Sequence, residues 1–292
     1  MCSTSSTPST GASCSGCTPS TPPTSWPSGW LPPGSGRLRG AAAWAAVVGS
    51  HLAGYALLLY AAWRLSPLAW LLAASWVLKT SFSLRLLLET VWRAAALMEK
   101  GCVDQARSLV QGLVRRDVYR LGPGHVASAA VESLAESLVD GYTSPLFYTL
   151  LLGPLGGLLQ RLANTLDGAL GFKTPEYLEA GWASAWVDTL LNYVPARVTA
   201  VLIALASPAA GGSVAAALRV WSRYASSTES RNAGHPMSAM AGALGVRLEK
   251  PSNYALGEAQ LPGPREMRRA VRVALLVAAA WLLLALLALT LA

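Results

Sequence analysis

The segment TSPLFYTLLLGPLGGLL, residues 143–159, is apolar enough to enter a bilayer but carries Pro145, Gly153, Pro154, Gly156 and Gly157. A straight spanning helix tolerates these poorly, because they remove or weaken backbone hydrogen bonding that lipid does not replace. The reading that suits the segment is a re-entrant pair of half-helices turning at Gly153–Gly157. Sidedness depends on that turn. A full crossing would place the polar residues before and after it on opposite sides of a membrane. A re-entrant hairpin leaves both on one side, able to share a site.

Composition fixes the class around this segment. Hydrophobic residues make up 53% of the 292 and charged residues only 13%, against about 25% charged in ordinary soluble domains. Ala41 to Trp63 and Val271 to Ala292 are each long enough to cross a hydrocarbon layer of about 30 Å. Leu68 to Leu78 is apolar but short and continues into Phe82–Leu88. Val198 to Leu218, broken around Ser207–Gly212, reads as a helical hairpin. The expected fold is an all-α polytopic membrane protein with four to five membrane-embedded segments, one of them re-entrant. Residues 37–292 form one domain.

Residues 1–36, rich in Ser, Thr, Pro and Gly, read as disordered and lack the basic and apolar regions of a secretory signal. The net charge of +8 is concentrated in two places: Arg85 to Arg120, and Arg265 to Arg272. By the positive-inside rule both face the cytoplasm of a cell membrane. Basic flanks of this kind are topological signals for a lipid-embedded chain, so nucleic acid is not an expected partner. Cys14 and Cys17 form one CxxC without a second pair or nearby histidines, which is a weak zinc signal.

Polar residues in so apolar a chain are informative, because burying them unpaired is costly. VESLAESLVDG, residues 131–141, places Glu132, Glu136 and Asp140 on one face of a helix opened near His125 and closed by Gly141. Like charges at i,i+4 cost a helix about 0.2–0.5 kcal/mol per pair, which a divalent cation would relieve. A solvated polar face is the plain alternative. A second polar cluster holds Asn164 and Asp167, then Lys173, Glu176, Tyr177 and Glu179, then Asp188 and Asn192 one turn apart, and Arg197. Trp182, Trp186, Leu190 and Tyr193 form an aromatic–apolar stripe whose first reading is packing or interfacial anchoring. Asn232-Ala233-Gly234 marks a turn in a polar loop.

Hard oxygen ligands of this kind suit magnesium rather than zinc. His51, His125 and His235 are far apart, and there is no GxxxxGK[ST] or GxSxG. The residues therefore point to a magnesium-dependent transferase or ligase with a polar site at the membrane face.

Six motifs in order carry a resemblance: KTSFSLRLLLE at 79–89, RDVYRL at 116–121, AAVESLAESLVDG at 129–141, NTLDGALGFKTPEY at 164–177, GWASAWVDTLLNYVPARVTA at 181–200 and SRNAGHPMSAMAGALGVRL at 230–248. From about Arg37 onward the chain resembles the CobD/CbiB family of adenosylcobinamide-phosphate synthases. The resemblance implies ATP-dependent amide ligation of aminopropanol, or its O-phosphate, to the f side-chain carboxylate of adenosylcobyric acid. Other cobalamin-pathway enzymes are candidate partners under the resemblance.

Charge and motif position assign Glu132, Glu136 and Asp140 to magnesium–nucleotide binding. Asp167 and Asp188 complete the metal site or orient the amine. Lys79, Arg116 and Arg197 contact phosphate, and Asn164, Asn192 and Asn232 hydrogen-bond corrin amides. Two departures stand out. The family's opening GDP…HPV-like segment has no counterpart in residues 1–36, which reads as a mis-start or frameshift, or else as real divergence. Arg231 and His235 replace the Pro and Trp of an SPNAGWP pattern. A magnesium-dependent phosphotransferase or prenyltransferase, and a transporter, are the alternatives, but Asp167-Gly168 and NTLD lack the first two signatures and no inverted repeat supports the third.

Overall fold

The computed structural model describes residues 34–170 and 178–291. The disorder expected for most of residues 1–36, and the polar residues Lys173, Glu176 and Tyr177, lie outside the described residues. Helix α1, Arg37–Leu65, is joined at Ser66 to α2, Pro67–Ser81. Pro67 fits the first helical position, and the Ser66 hydroxyl accepts the Ala69 N–H at 3.1 Å. A bend of 40° at Phe82–Ser83 leads into α3, Leu84–Glu99. Gly101 breaks the chain at a φ of 75° before the amphipathic α4, Val103–Gln111.

The core is built on α5, Pro123–Leu138, which is apolar on nearly every face and therefore sits at the centre. Leu134 and Leu138 pack there with Ile203, Met240 and Met267. Contrary to expectation, Gly141 does not end the acidic helix. A π-helical segment, Val139–Thr143, carries it directly into α6, Ser144–Leu152. The Gly141 carbonyl accepts the Ser83 N–H at 3.0 Å, so the wide turn is also tied to the α2–α3 bend. Such π insertions occur frequently at functional sites.

The turn expected after residue 152 is formed. Gly153 adopts a φ of 69°, and α7, Pro154–Leu170, folds back along α6. The return is close because Gly156 lies against the Tyr148 carbonyl and Gly157 would put a Cβ only 3.0 Å from the Pro145 carbonyl. The polar residues before and after the hairpin thereby end on the same side of it.

Helix α8, Trp182–Ala206, runs unbroken from the Asp188–Asn192 stretch into the first arm of the expected hairpin, and the helical-turn spacing read for Asp188 and Asn192 is formed. A 3₁₀ turn, Ser207–Ala210, leads to α9, Val214–Tyr224, and to α10, Gly234–Leu244, buried at every residue but His235. A two-stranded antiparallel hairpin, β1 (Leu248–Lys250) and β2 (Tyr254–Leu256), was not foreseen. Helix α11, Pro264–Leu291, completes the fold. Among the described residues three helices, α1, α8 (extended to residue 210) and α11, are long and apolar enough to cross a membrane; the bent α2–α3 pair makes a fourth. The protein is an all-α polytopic membrane protein.

The close α6–α7 return makes a direct prediction. Gly156→Val should lower the thermal unfolding temperature in detergent, at a cost of about 1–3 kcal/mol from overpacking. Gly49→Ala, where a Cβ meets nothing within 4 Å, should leave it unchanged or raised. A Gly156→Val protein that melts with its parent would contradict the packing described.

Candidate functional site

The row Glu132, Glu136, Asp140 does not act as one unit. Glu132 is buried and fully engaged. Its Oε1 accepts Arg116 Nη2 at 3.0 Å and the Ser128 hydroxyl at 2.6 Å, and its Oε2 accepts the Tyr254 hydroxyl at 2.7 Å. Ser128 Oγ in turn accepts the Glu249 N–H at 2.7 Å, so this knot staples β1 and β2 onto α5. Burial and the neighbouring Glu132 keep the Tyr254 hydroxyl protonated, well above the usual phenol range. Glu132 and Arg116, expected at metal and phosphate, are instead committed to each other.

One and two turns further on, Glu136 and Asp140 open into a cleft of about 630 Å³, within the size range of small-molecule sites. In this recess loss of solvation, then the charges of Glu132 and Asp188, push the Glu136 carboxyl above its ordinary value, against a partial offset from Arg115 and Lys250. Asp140 is raised further, first by desolvation and then by Asp188, Glu136 and Asp167, with a hydrogen bond from Asn164 working the other way.

Helices α7 and α8 supply the facing wall. Asn164 Nδ2 and Asn192 Nδ2 both donate to Asp188 Oδ1, at 3.2 and 3.1 Å. Gln160 Nε2 donates to Asn192 Oδ1 at 3.0 Å from a fully buried position. This relay holds one carboxylate in a fixed orientation, and Asp167 lines the same cleft.

The third wall is the loop before α10 together with the β-hairpin, which bring Arg231, Asn232, Lys250, Asn253 and Tyr254 to the cleft. Both ends of the Asn232 amide are in use: Nδ2 donates to the Thr189 carbonyl at 2.8 Å and Oδ1 accepts Arg197 Nη1 at 3.3 Å. Arg197 also donates to the Tyr193 carbonyl at 2.6 Å and lies 3.4 Å over the Tyr193 ring. It pins the loop to α8 and is not among the residues lining the cleft. Lys79 sits exposed at the end of α2, also outside it. His235 accepts the Trp221 indole N–H at 2.9 Å; burial, then Arg197, bring its pKa down to about 4, so it stays neutral at physiological pH.

The structure thus gathers Glu136, Asp140, Asn164, Asp167, Asp188, Asn192 and Asn232, and leaves out Lys79, Arg116, Arg197 and Glu132. The cations at the cleft are Arg115, Arg231 and Lys250, which sequence reasoning missed. The short turn Pro251–Asn253 between two three-residue strands was the available signal for the last. Among the described residues no three His, Cys, Asp or Glu side chains converge tightly enough to hold a metal ion by themselves. The donors are nevertheless all oxygen and in excess of one, which fits magnesium, an ion that keeps waters and shares its shell with substrate phosphates.

Removing one partner of the buried Glu132–Arg116 pair should cost about 3–5 kcal/mol. Arg116→Met is therefore expected to lower the unfolding temperature sharply, and adding Glu132→Gln should restore part of the loss. Equal melting of the single and double variants in a thermal double-mutant cycle would contradict this coupling.

Comparison with known proteins follows the same residues. A family model described as CobD/Cbib protein matches residues 25–289, starting within the Ser/Pro-rich stretch. A probable cobalamin biosynthesis protein CobD from Aeropyrum pernix is 53% identical over 260 residues, 89% of this chain and 81% of the relative. One of the same description from Thermoplasma volcanium is 36% identical over 210 residues, 71% of this chain and 68% of the relative. The cobalamin biosynthesis protein CobD of Pelobacter propionicus is 38% identical over 198 residues, covering 68% and 61%. No solved structure matches the chain. With a family match over nearly the whole chain and these relatives, the protein belongs to the CobD/CbiB family and has its role in cobalamin biosynthesis.

Proposed function

We propose that the cleft joins aminopropanol, or its O-phosphate, to the f side-chain carboxylate of adenosylcobyric acid in an ATP-dependent amide ligation. The observation that carries this reading is the meeting of Glu136, Asp140, Asp167 and Asp188 with Arg115, Arg231 and Lys250 around one cleft. Acids suit a metal-bound triphosphate and an ammonium group; the basic residues suit phosphate and carboxylate. The arginine-rich flanks favour placing this face toward the cytoplasm of the cell membrane.

In this reading Glu136 and Asp140 hold magnesium through oxygen donors, and the bound ion supplies charge neutralisation at the phosphoryl oxygens. Arg115, Arg231 and Lys250 orient the triphosphate and the corrinoid carboxylate. A carboxylate oxygen attacks the γ-phosphorus, the bond to the β-phosphate oxygen breaks, and ADP leaves with the electron pair. The resulting acyl phosphate waits beside the amine. Asp167 and Asp188 hold that ammonium, and Asp188, aimed by Asn164 and Asn192, takes one of its protons. The freed nitrogen attacks the acyl carbon, and the bond from that carbon to the phosphate oxygen breaks. Phosphate departs with the second amine proton. Asn232, bonded to α8 through both ends of its amide, places the loop and keeps one N–H for a corrin amide.

Detergent-purified protein given ATP, magnesium, adenosylcobyric acid and aminopropanol phosphate should form the amide and release ADP and phosphate. Glu136→Gln should abolish ligation with membrane insertion intact, and Asp188→Asn should lower kcat by about 10²–10⁴-fold. Absence of amide product from the folded parent, or a Glu136→Gln protein as active as the parent, would overturn the assignment.

A further inference from the structure

Two exposed indoles line the cleft next to its polar residues. Trp182 and Trp186, one turn apart at the start of α8, stack with ring centroids 6.2 Å apart and planes 19° from parallel. Both stay well exposed, at 44% and 53%. Trp182 is held from the other end of the fold: the Arg37 guanidinium lies 5.7 Å from its ring centroid, and Arg37 is ion-paired with Glu179 at 2.7 Å. The stack is therefore ordered before any ligand arrives, which reduces the entropy lost on binding.

At about 100° per residue, the exposed face of α8 runs from Trp182, Tyr193 and Trp186 to Leu190, Val194, Val201 and Leu205. The two indoles stand toward the edge of that face nearest Asn192 and Asp188, and they line the cleft together with Thr189 and Asn192, which the aliphatic residues of the stripe do not. The charged groups are assigned to phosphates, carboxylate and amine in the proposed reaction, and the two indoles are the apolar ring faces beside them at the cleft.

We propose that the Trp182–Trp186 stack is the platform for the purine base of the nucleotide, with Trp186 as the contacting ring. The proposal rests on the ligase reading, because that reading puts a nucleoside triphosphate in the cleft. Stacking on one indole is sequence-tolerant and substantial for nucleobases, so its removal should be visible in binding without any turnover.

The test is equilibrium dialysis of two phosphate probes, magnesium–ATP and magnesium–triphosphate, and separately of adenosylcobyric acid, against full-length protein in detergent. Trp186→Leu should weaken magnesium–ATP binding about tenfold or more and leave magnesium–triphosphate unchanged, while Trp186→Phe should retain most of the ATP affinity. Parallel losses for both probes, or no loss for either, would overturn the platform. So would a loss confined to adenosylcobyric acid, which would give the stack to the corrinoid. If the parent binds neither phosphate probe, the ligase reading itself fails. If the parent binds both equally well, the platform alone fails.

Discussion

Like charges crowded into one recess are the constraint on which the rest of this molecule turns. Glu136, Asp140, Asp167 and Asp188 reach a single cleft from the central helix and its π extension, from α7 and from α8. Each raises the cost of ionising its neighbours, and loss of solvation within the recess adds to that cost at Glu136 and Asp140. A fold that keeps such a group together does so at the expense of stability unless a cation joins it. That expense is what makes the cluster informative, because packing alone gives no reason to gather it.

The surrounding architecture separates the acid that fastens the fold from those that line the cleft. Glu132 is balanced by Arg116 and held by Ser128 and Tyr254, so the first acid of the row fastens the β-hairpin to α5. The π turn then carries Asp140 past the regular helical position and into contact with α7 and α8. The α6–α7 return at Gly153 brings Asn164 and Asp167 back to the same end. Arg197 and Asn232 press the loop before α10 against α8 and close the third wall. Fold and cleft are thus parts of one arrangement, in which the polar contacts that fasten the fold surround those that line the cleft.

Much of this was legible in the residues. Composition alone marks a membrane protein, long apolar runs place α1 and α11, and the glycines and prolines of 143–159 specify a hairpin because lipid penalises broken backbone bonding. That hairpin logic brought the acids before and after it to one side. What sequence could not show depended on contacts between distant segments. Nothing in RDVYRL says that Arg116 meets Glu132. The π turn hides in an ordinary helical pattern, since an inserted residue leaves no periodic mark. The apolar run of α8 begins among polar residues, so its continuity from Trp182 into the arm that starts at Val198 left no clear mark. Strands of three residues carry too little pattern to stand out beside eleven helices among the described residues.

The most direct test of the cation-dependent cluster is the unfolding temperature of the purified protein from about pH 5 to about pH 8, with and without magnesium. Carboxyls raised above their unfolded value of about 4 bind more protons in the folded state. Without a cation, stability should therefore fall as pH rises from that value through the folded pKa values. Magnesium should cancel most of the fall, its benefit growing with pH. In Asp140→Asn, both the fall and the magnesium benefit should shrink. An unfolding temperature indifferent to magnesium near pH 8, or a full magnesium response surviving in Asp140→Asn, would contradict the account.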